Sequence, residues 1–283
     1  MSNTLRAALW MIGAIVSFTS MAVAGRFASL DHDTFEIMFF RSILGIVIVL
    51  AVATVAGTLG QINRDRFGLH FARNLAHFTG QNLWFFALPL IPLAQLFALE
   101  FTGPVWVLLL APLLLKERLT VEKLAYAGMG FIGIMIVARP DFTDINTGVL
   151  AGATAAIAFA FTAIFTRKLT ATASITCILF YLTTMQATFG AIMVFYDGQV
   201  SWPTMQGLPW LAIIGVAGLL AHFCLTQALT IAPASVVMPL DFARLPLVAV
   251  IGMVFYNESL DGWVFLGAVL IFGANYLNVT RAK

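Results

Sequence analysis

Charge is what this chain has least of. Only 10% of its residues are Asp, Glu, Lys or Arg, against about 25% in an ordinary globular domain. That shortage excludes a soluble domain with a solvated surface, and 61% hydrophobic residues with a mean hydropathy of +0.96 point the same way. Cysteine is nearly absent too: Cys177 and Cys224 sit inside apolar segments with no ligand-like spacing, which leaves them as small buried hydrophobes. The chain has no Gly-rich phosphate loop, no His/Cys/Asp cluster at metal spacing and no connection long enough for a catalytic constellation. No cofactor or metal is therefore expected. The net charge of +2 resides mostly in short loops and gives no reason to expect nucleic acid as a partner.

What is present is a series of apolar runs of about 20 residues, the length that crosses a bilayer core as a helix. Lipid offers the backbone no hydrogen-bond partners, so only helices or a closed barrel can span it. Barrel strands alternate polar and apolar residues, and these runs do not. The runs predict an all-α polytopic membrane protein with ten transmembrane helices. The predicted spans are 7–25, 34–56, 69–88, one after Pro92 that ends at 115, 122–137, 148–165, 175–196, 208–230, 234–256 and 262–279. The first could pass for a cleaved signal peptide; it is read as a span because its counterpart later in the chain is one. The third is the least apolar, with His70, Arg73, His77, Gln81 and Trp84 on one face at helical steps.

The chain also repeats itself. Ala87, Leu88, Pro92, Leu99, Phe101, Glu117 and Leu119 recur as Ala228, Leu229, Pro233, Leu240, Phe242, Glu258 and Leu260, each 141 positions on. Glu100 recurs as the acid Asp241, and the same shift pairs Ala22 with Ala163, Arg26 with Arg167 and Phe39 with Phe180. This predicts two halves, residues 1–140 and 141–283, of five spans each. Five is odd, so the second half enters the membrane inverted, with the site at the interface of the halves. Loop charge agrees. With the N-terminus inside, Arg6, Arg64, Arg66, Lys116, Arg118, Lys123, Arg167, Lys168, Arg281 and Lys283 fall on the inner side, against Arg26 and Arg139 outside. Asp31, Asp33, Asp141, Asp144, Asp197, Glu258 and Asp261 also fall outside. Both termini are expected in the cytoplasm.

Five charges remain inside the apolar spans: Arg41, Arg73, Glu100, Asp241 and Arg244. Facing lipid, each costs about 2.5–3.5 kcal/mol on insertion scales, so they are expected to face the interior and find partners. Asp241 and Arg244 are one turn apart and can pair, with Glu100 opposite them. An ion-pair cluster that only pins helices together is the plain alternative. A carboxyl taken out of water is a candidate proton carrier, so proton coupling through Glu100 or Asp241 is a further expectation. Three arginines against two acids leave one positive charge in excess, and buried arginine seeks a bidentate anion. That favours a substrate carboxylate, with Trp84, Phe97, Phe101 and Met238 as apolar walls. The competing reading has Arg41 and Arg73, nearer their helix ends, reaching the interface. The candidate cavity-lining or substrate-binding residues are Glu100, Asp241, Arg244, Arg73, His77, Gln81, Trp84, Phe97, Ser17 and Arg41, with Trp106, His222 and Gln227 as weaker candidates.

Five-plus-five inverted helices, with an apolar helix ending in an E-x-L in each half, resemble the EamA-type carriers of the drug/metabolite transporter superfamily. The residues behind the resemblance are 96–119, LFALEFTGPVWVLLLAPLLLKERL, and 239–260, PLDFARLPLVAVIGMVFYNESL. The resemblance implies a basket of helices around a cavity lined by spans 1, 3, 4, 6, 8 and 9, with spans 5 and 10 at the far side. It implies a secondary transporter of a small organic metabolite in the cell inner membrane, a monomer or weak dimer, and not an enzyme. It names no substrate. An amino-acid-like or carboxylate-bearing amphiphile is expected, with a nucleotide-like, vitamin-like or cationic compound as the alternative. An intramembrane acid/base enzyme using Glu100 and Asp241, or a channel, is the alternative class.

Overall fold

The computed structural model describes residues 2–91, 93–138, 146–196, 200–256 and 262–281. Pro92, Arg139, Asp141, Asp144, Asp197, Glu258, Leu260, Asp261 and Lys283, used above for the repeat or for orientation, lie outside the described residues.

Helix α1 spans Asn3–Ala28, α2 Thr34–Val55, α3 Phe67–Ala87, α4 Leu93–Glu100, α5 Gly103–Leu114 and α6 Val121–Ala138. Then follow α7 Thr147–Leu169, α8 Ile175–Val194, α9 Leu208–Ile231, α10 Ala234–Val237, α11 Arg244–Tyr256 and α12 Gly262–Arg281. Among the described residues there is no strand. Several helices start on a side-chain cap that takes up amides with no intrahelical acceptor. Asp33 and Glu36 form a reciprocal capping box on α2, with bonds of 2.8 and 3.1 Å. Asn146 accepts from the amides of Gly148 and Val149 at α7, and Ser174 accepts from Cys177 at α8.

Six helical stretches are long and apolar enough to cross a membrane: Asn3–Ala28, Thr34–Val55, Gln95–Leu114, Thr147–Leu169, Ile175–Val194 and Leu208–Ile231. The chain is a multi-pass membrane protein. With 21 residues, α3 reaches about 30 Å at 1.5 Å per residue, but its buried His70, Arg73, Asn74, His77, Gln81 and Asn82 take it out of the apolar class. Outward faces are apolar as lipid requires: α1 exposes Leu5, Leu9, Ile12 and Val16 while burying Met11, Ala14 and Ile15.

Four long pairings organise the bundle: α1 along α9, α3 along α7, α2 along α8 and α6 along α12. Small residues set the last of these. A Cβ on Gly133 would lie 2.8 Å from the Gly267 carbonyl oxygen, and one on Gly267 would lie 2.6 Å from that of Gly133. Backbones meet here at a distance only glycine permits.

The sequence predicts continuous helices after Pro92 and over 234–256. Both are broken in the structure. In the first, α4 stops at Glu100 and α5 starts at Gly103; in the second, α10 passes into a 3-10 segment, Met238–Ala243, and α11 starts at Arg244. The starts of α4 and α10, and of α5 and α11, are each 141 positions apart, the offset of the sequence identities. Proline is the physical reason. Pro104 has no amide to close the helical bond to the Glu100 carbonyl, Pro239 none for Ser235 and Pro246 none for Phe242. Both interruptions sit beside the largely buried acids, Glu100 and Asp241.

Candidate functional site

The two broken helices bring three charges together. Arg244, the first residue of α11, donates through one terminal nitrogen both to Oε1 of Glu100 and to Oδ2 of Asp241, the latter at 2.8 Å. Trp84 on α3 closes the group, its indole N–H donating to Oε2 of Glu100 at 2.6 Å. The guanidinium also lies 5.0 to 5.4 Å from the ring centres of Phe101, Phe97 and Phe18, within cation–π range. Two carboxylates share one guanidinium, so with both ionised the triad carries one surplus negative charge. Asp241 Oδ1 and Arg244 Nε are buried without a hydrogen-bond partner.

A second group, of opposite sign, lies further along α3. Arg73 is buried and donates through Nε to the Thr166 hydroxyl at 3.1 Å and through a terminal nitrogen to Asn74 Oδ1 at 2.8 Å. Arg41 is buried on α2, its nearest polar contact the Met21 sulfur at 3.6 Å; a Cβ on Gly218 would lie 3.2 Å from its guanidinium. Neither arginine has a carboxylate partner among the described residues. Between them stand two imidazoles. His77 is one turn from Arg73 and His222 one turn from Gly218; their rings meet edge to face at 4.6 Å. Both nitrogens of His77 and Nε2 of His222 lack a hydrogen-bond partner. Arg41, His222, His77 and Arg73 thus form a row of donors and cations with only neutral acceptors beside it.

One cavity of about 80 Å³ is lined by both groups: Arg73, His77, Gln81 and Trp84 from α3, His222 and Thr226 from α9, and Glu100, Asp241 and Arg244 from the breaks. Met11, Phe18 and Met21 of α1 and Phe159, Thr162 and Thr166 of α7 complete the wall. These elements are the six spans expected to line it, while α6 packs along α12.

Of the ten candidate residues, seven line the cavity: Glu100, Asp241, Arg244, Arg73, His77, Gln81 and Trp84. Phe97 stands behind it, against the Arg244 guanidinium. Ser17 is buried on α1 but is not a lining residue. Arg41 lies outside the cavity wall, its guanidinium against the lining residue Met21. The reading in which Arg41 and Arg73 extend to the interface is corrected: they are 6% and 1% exposed, because both helices turn these residues inward, where Thr166 and Asn74 supply acceptors to Arg73. Trp106 is partly exposed, and Gln227 lines an outer groove with Val49 and Leu179.

Sequence reasoning passed over Phe18, Phe159, Thr162 and Thr166. The signal was available: Thr162 and Thr166 are one turn apart on an alanine-rich helix, where a pair of hydroxyls stands out. The E-x-L acid Glu117 has a structural place of its own. Its carboxylate accepts from the amides of Ala234 and Ser235 at 3.0 and 3.1 Å and lies 3.7 Å from Arg167, tying the end of one broken helix to the start of the other.

Comparison with known proteins adds a family and relatives. The EamA-like transporter family matches the chain twice, over residues 5–139 and 146–280. An S-adenosylmethionine uptake transporter of Rickettsia bellii is 27% identical over 276 residues, covering 97% of this chain and 93% of the relative. A riboflavin transporter of Vibrio cholerae serotype O1 is 29% identical over 274 residues, covering 95% and 91%. A solved structure described only as a protein crystal structure superposes with a TM-score of 0.81 at 18% identity over 98% of this chain and 97% of that one, a likeness of fold.

Proposed function

We propose, from the premise that the chain belongs to the EamA-like transporter family, that this small-metabolite transporter carries a carboxylate-bearing amphiphile across the cytoplasmic membrane. The observation that carries the reading is the pair of buried arginines, Arg73 and Arg41, with no carboxylate partner among the described residues, and between them three ring nitrogens of His77 and His222 without a partner. Such a row is costly to keep in an apolar bundle, and a substrate anion at Arg73 offsets that cost with charge-assisted hydrogen bonds. Phe18, Phe159 and Trp84 offer aromatic surface to the rest of the molecule. Of the two relatives' substrates, S-adenosylmethionine has a carboxylate and riboflavin has none, so the first is the nearer chemistry.

The architecture we propose is the inverted five-plus-five arrangement of residues 1–140 and 141–283, ten spans, with both termini in the cytoplasm. Its supports are the twofold family match, the equal offset of the helix breaks, and the pairings. Exchanging the halves maps α1 with α9 onto α7 with α3, and maps the other two long pairings onto themselves. Alternating access then rocks one set of helices against the other around the cavity. The surplus negative charge of the Glu100–Arg244–Asp241 triad makes it the seat of a coupling proton.

The test is counterflow in proteoliposomes containing the purified full chain, against a panel of carboxylates, neutral vitamins and cations. Saturable counterflow of a carboxylate is expected, with Arg73→Ala raising its apparent KM and Glu100→Gln abolishing its response to a pH gradient. A neutral or cationic substrate carried normally by both Arg73→Ala and Arg244→Ala sinks the carboxylate reading. Transport indifferent both to the pH gradient and to Glu100→Gln removes the proton.

A further inference from the structure

We infer that the cavity measures its substrate: it takes a long molecule with its anionic group at one end and a cationic or hydrogen-bond-donating group at the other. At about 80 Å³ the cavity must widen in the transport cycle to admit it. The inference rests on the carboxylate reading and adds to it the second group and the spacing between the two.

The two ends of the cavity differ in sign and in unmet bonding. At one end stand Arg73 and the free nitrogens of His77 and His222, at the other the triad, in which Asp241 Oδ1 is a buried acceptor with nothing donating to it. Asp241 is 8% exposed, and its other oxygen is already held by Arg244. With both carboxylates ionised Arg244 cannot neutralise the two, so this end keeps a surplus negative charge for which a substrate cation competes with the coupling proton. The free oxygen of Asp241 calls for a donor. Arg244 Nε is a second unmet group of the triad, a donor. A molecule that is only an acid leaves this end unmet, at the cost of a desolvated polar group.

Helix α3 gives the distance. Arg73, His77, Gln81 and Trp84 occupy successive turns of one face lining the cavity, and Trp84 is bonded to Glu100 of the triad. At 1.5 Å per residue, His77 lies about 10 Å from Trp84 along the axis and Arg73 about 16 Å. The ammonium and carboxylate of one α-amino acid head, attached to a single carbon, are far too close together to reach both ends. The substrate class is a long dipolar amphiphile: a carboxylate, an apolar or aromatic middle lying against Phe18 and Phe159, and a remote amine or protonated heterocycle.

A homologous series reads the ruler directly. Binding to the purified full chain in nanodiscs is measured by titration calorimetry for linear ω-amino carboxylic acids of four, six, eight, ten and twelve carbons. Each is compared with the plain carboxylic acid of the same length, which cancels the hydrophobic gain of the chain. The amino group is expected to add nothing at four carbons and to tighten binding by about tenfold at eight to twelve, the least a charge-assisted hydrogen bond supplies. Asp241→Asn is expected to abolish that gain at every length, each amino acid then binding no more tightly than the plain acid of its length. An amine gain that is absent, independent of length or greatest at four carbons overturns the inference; if the plain acids still bind through Arg73, the carboxylate reading survives. Plain alkylamines binding as tightly as the amino acids, with Arg73→Ala without effect, overturn both, as does no binding of any member. Should Asp241→Asn fail to fold, the wild-type length series alone decides.

Discussion

Removing Arg244 while keeping its partners separates the triad's contribution to folding from its contribution to transport. In Arg244→Ala the Glu100 and Asp241 carboxylates remain side by side, 13% and 12% exposed at the side chain, with no cation between them. Leaving a charge buried and uncompensated costs about 3–5 kcal/mol; loss of the contacts to Phe97 and Phe101 adds about 0.5–1 kcal/mol each. Arg244→Ala therefore lowers the unfolding free energy by at least 3 kcal/mol on the order of magnitude of a buried pair. Combining Arg244→Met with Glu100→Gln and Asp241→Asn removes every charge from the cluster while keeping its volume. Replacement of a buried ion pair by neutral groups is commonly neutral or stabilising, so the triple variant is expected to regain most of the loss. Stability is read from thermal unfolding in detergent followed by tryptophan fluorescence, with Trp84 reporting from inside the cluster, and transport from counterflow in vesicles. The triple variant is expected to be stable and inactive. If Arg244→Ala melts like wild type, the triad is solvated and the burial argument fails. If the triple variant transports at the wild-type rate, the cluster is a structural tie and neither substrate nor proton is seated there.

Three further expectations follow from other parts of the fold. Arg73→Ala raises the apparent KM for a carboxylate substrate without lowering thermal stability, because it removes a buried cation that has only neutral acceptors; parallel loss of stability and KM points to a packing role instead. Gly267→Val drives a side chain into the Gly133 carbonyl oxygen and Val137, whose Cγ2 would lie 2.3 Å from the new Cβ. It destabilises by about 1–3 kcal/mol, measured as a lower melting temperature with the substrate KM unchanged. In intact cells Asp31→Cys reacts with an impermeant maleimide, whereas Arg64→Cys reacts only after permeabilisation; labelling of both from one side refutes the proposed orientation. Cys177 and Cys224 are buried and give low background.

Composition carried the fold class, since so few charges leave lipid as the only solvent for the outer faces, and apolar run length carried most helix positions. The pairing of Asp241 with Arg244 was legible because residues one turn apart on a helix meet, and Glu100 because the repeat puts an acid at its counterpart. The reach of Arg41 and Arg73 was not. Position along a helix says how far the interface is, while rotation about the axis and the neighbour opposite decide whether the side chain goes there. For Arg73 that neighbour is Thr166, 93 residues on in the chain. The His77–His222 contact was hidden for the same reason, being made by α3 and α9, neither of which is the other's longest partner.

The broken helices show how a local rule can be visible and still leave the outcome undecided. Pro104, Pro239 and Pro246 were in plain view, and each argues against a continuous helix in water. In a membrane span proline is common, because neighbouring helices can satisfy the carbonyl it frees, so its presence alone does not decide between a kink and a break. What decides here is the pair of buried charges at the ends. Glu100 closes α4, where the helix dipole disfavours an anion, and Arg244 opens α11, where it disfavours a cation. Each is badly placed on its own segment and well placed beside the other's, so the break and the ion pair suit one another. A continuous helix over 234–256 would have no segment end at Arg244, and Glu100 no reason to accept its position without it. The sequence contains both halves of that argument, 144 residues apart, and only the packing of α4 and α5 against the second broken helix joins them.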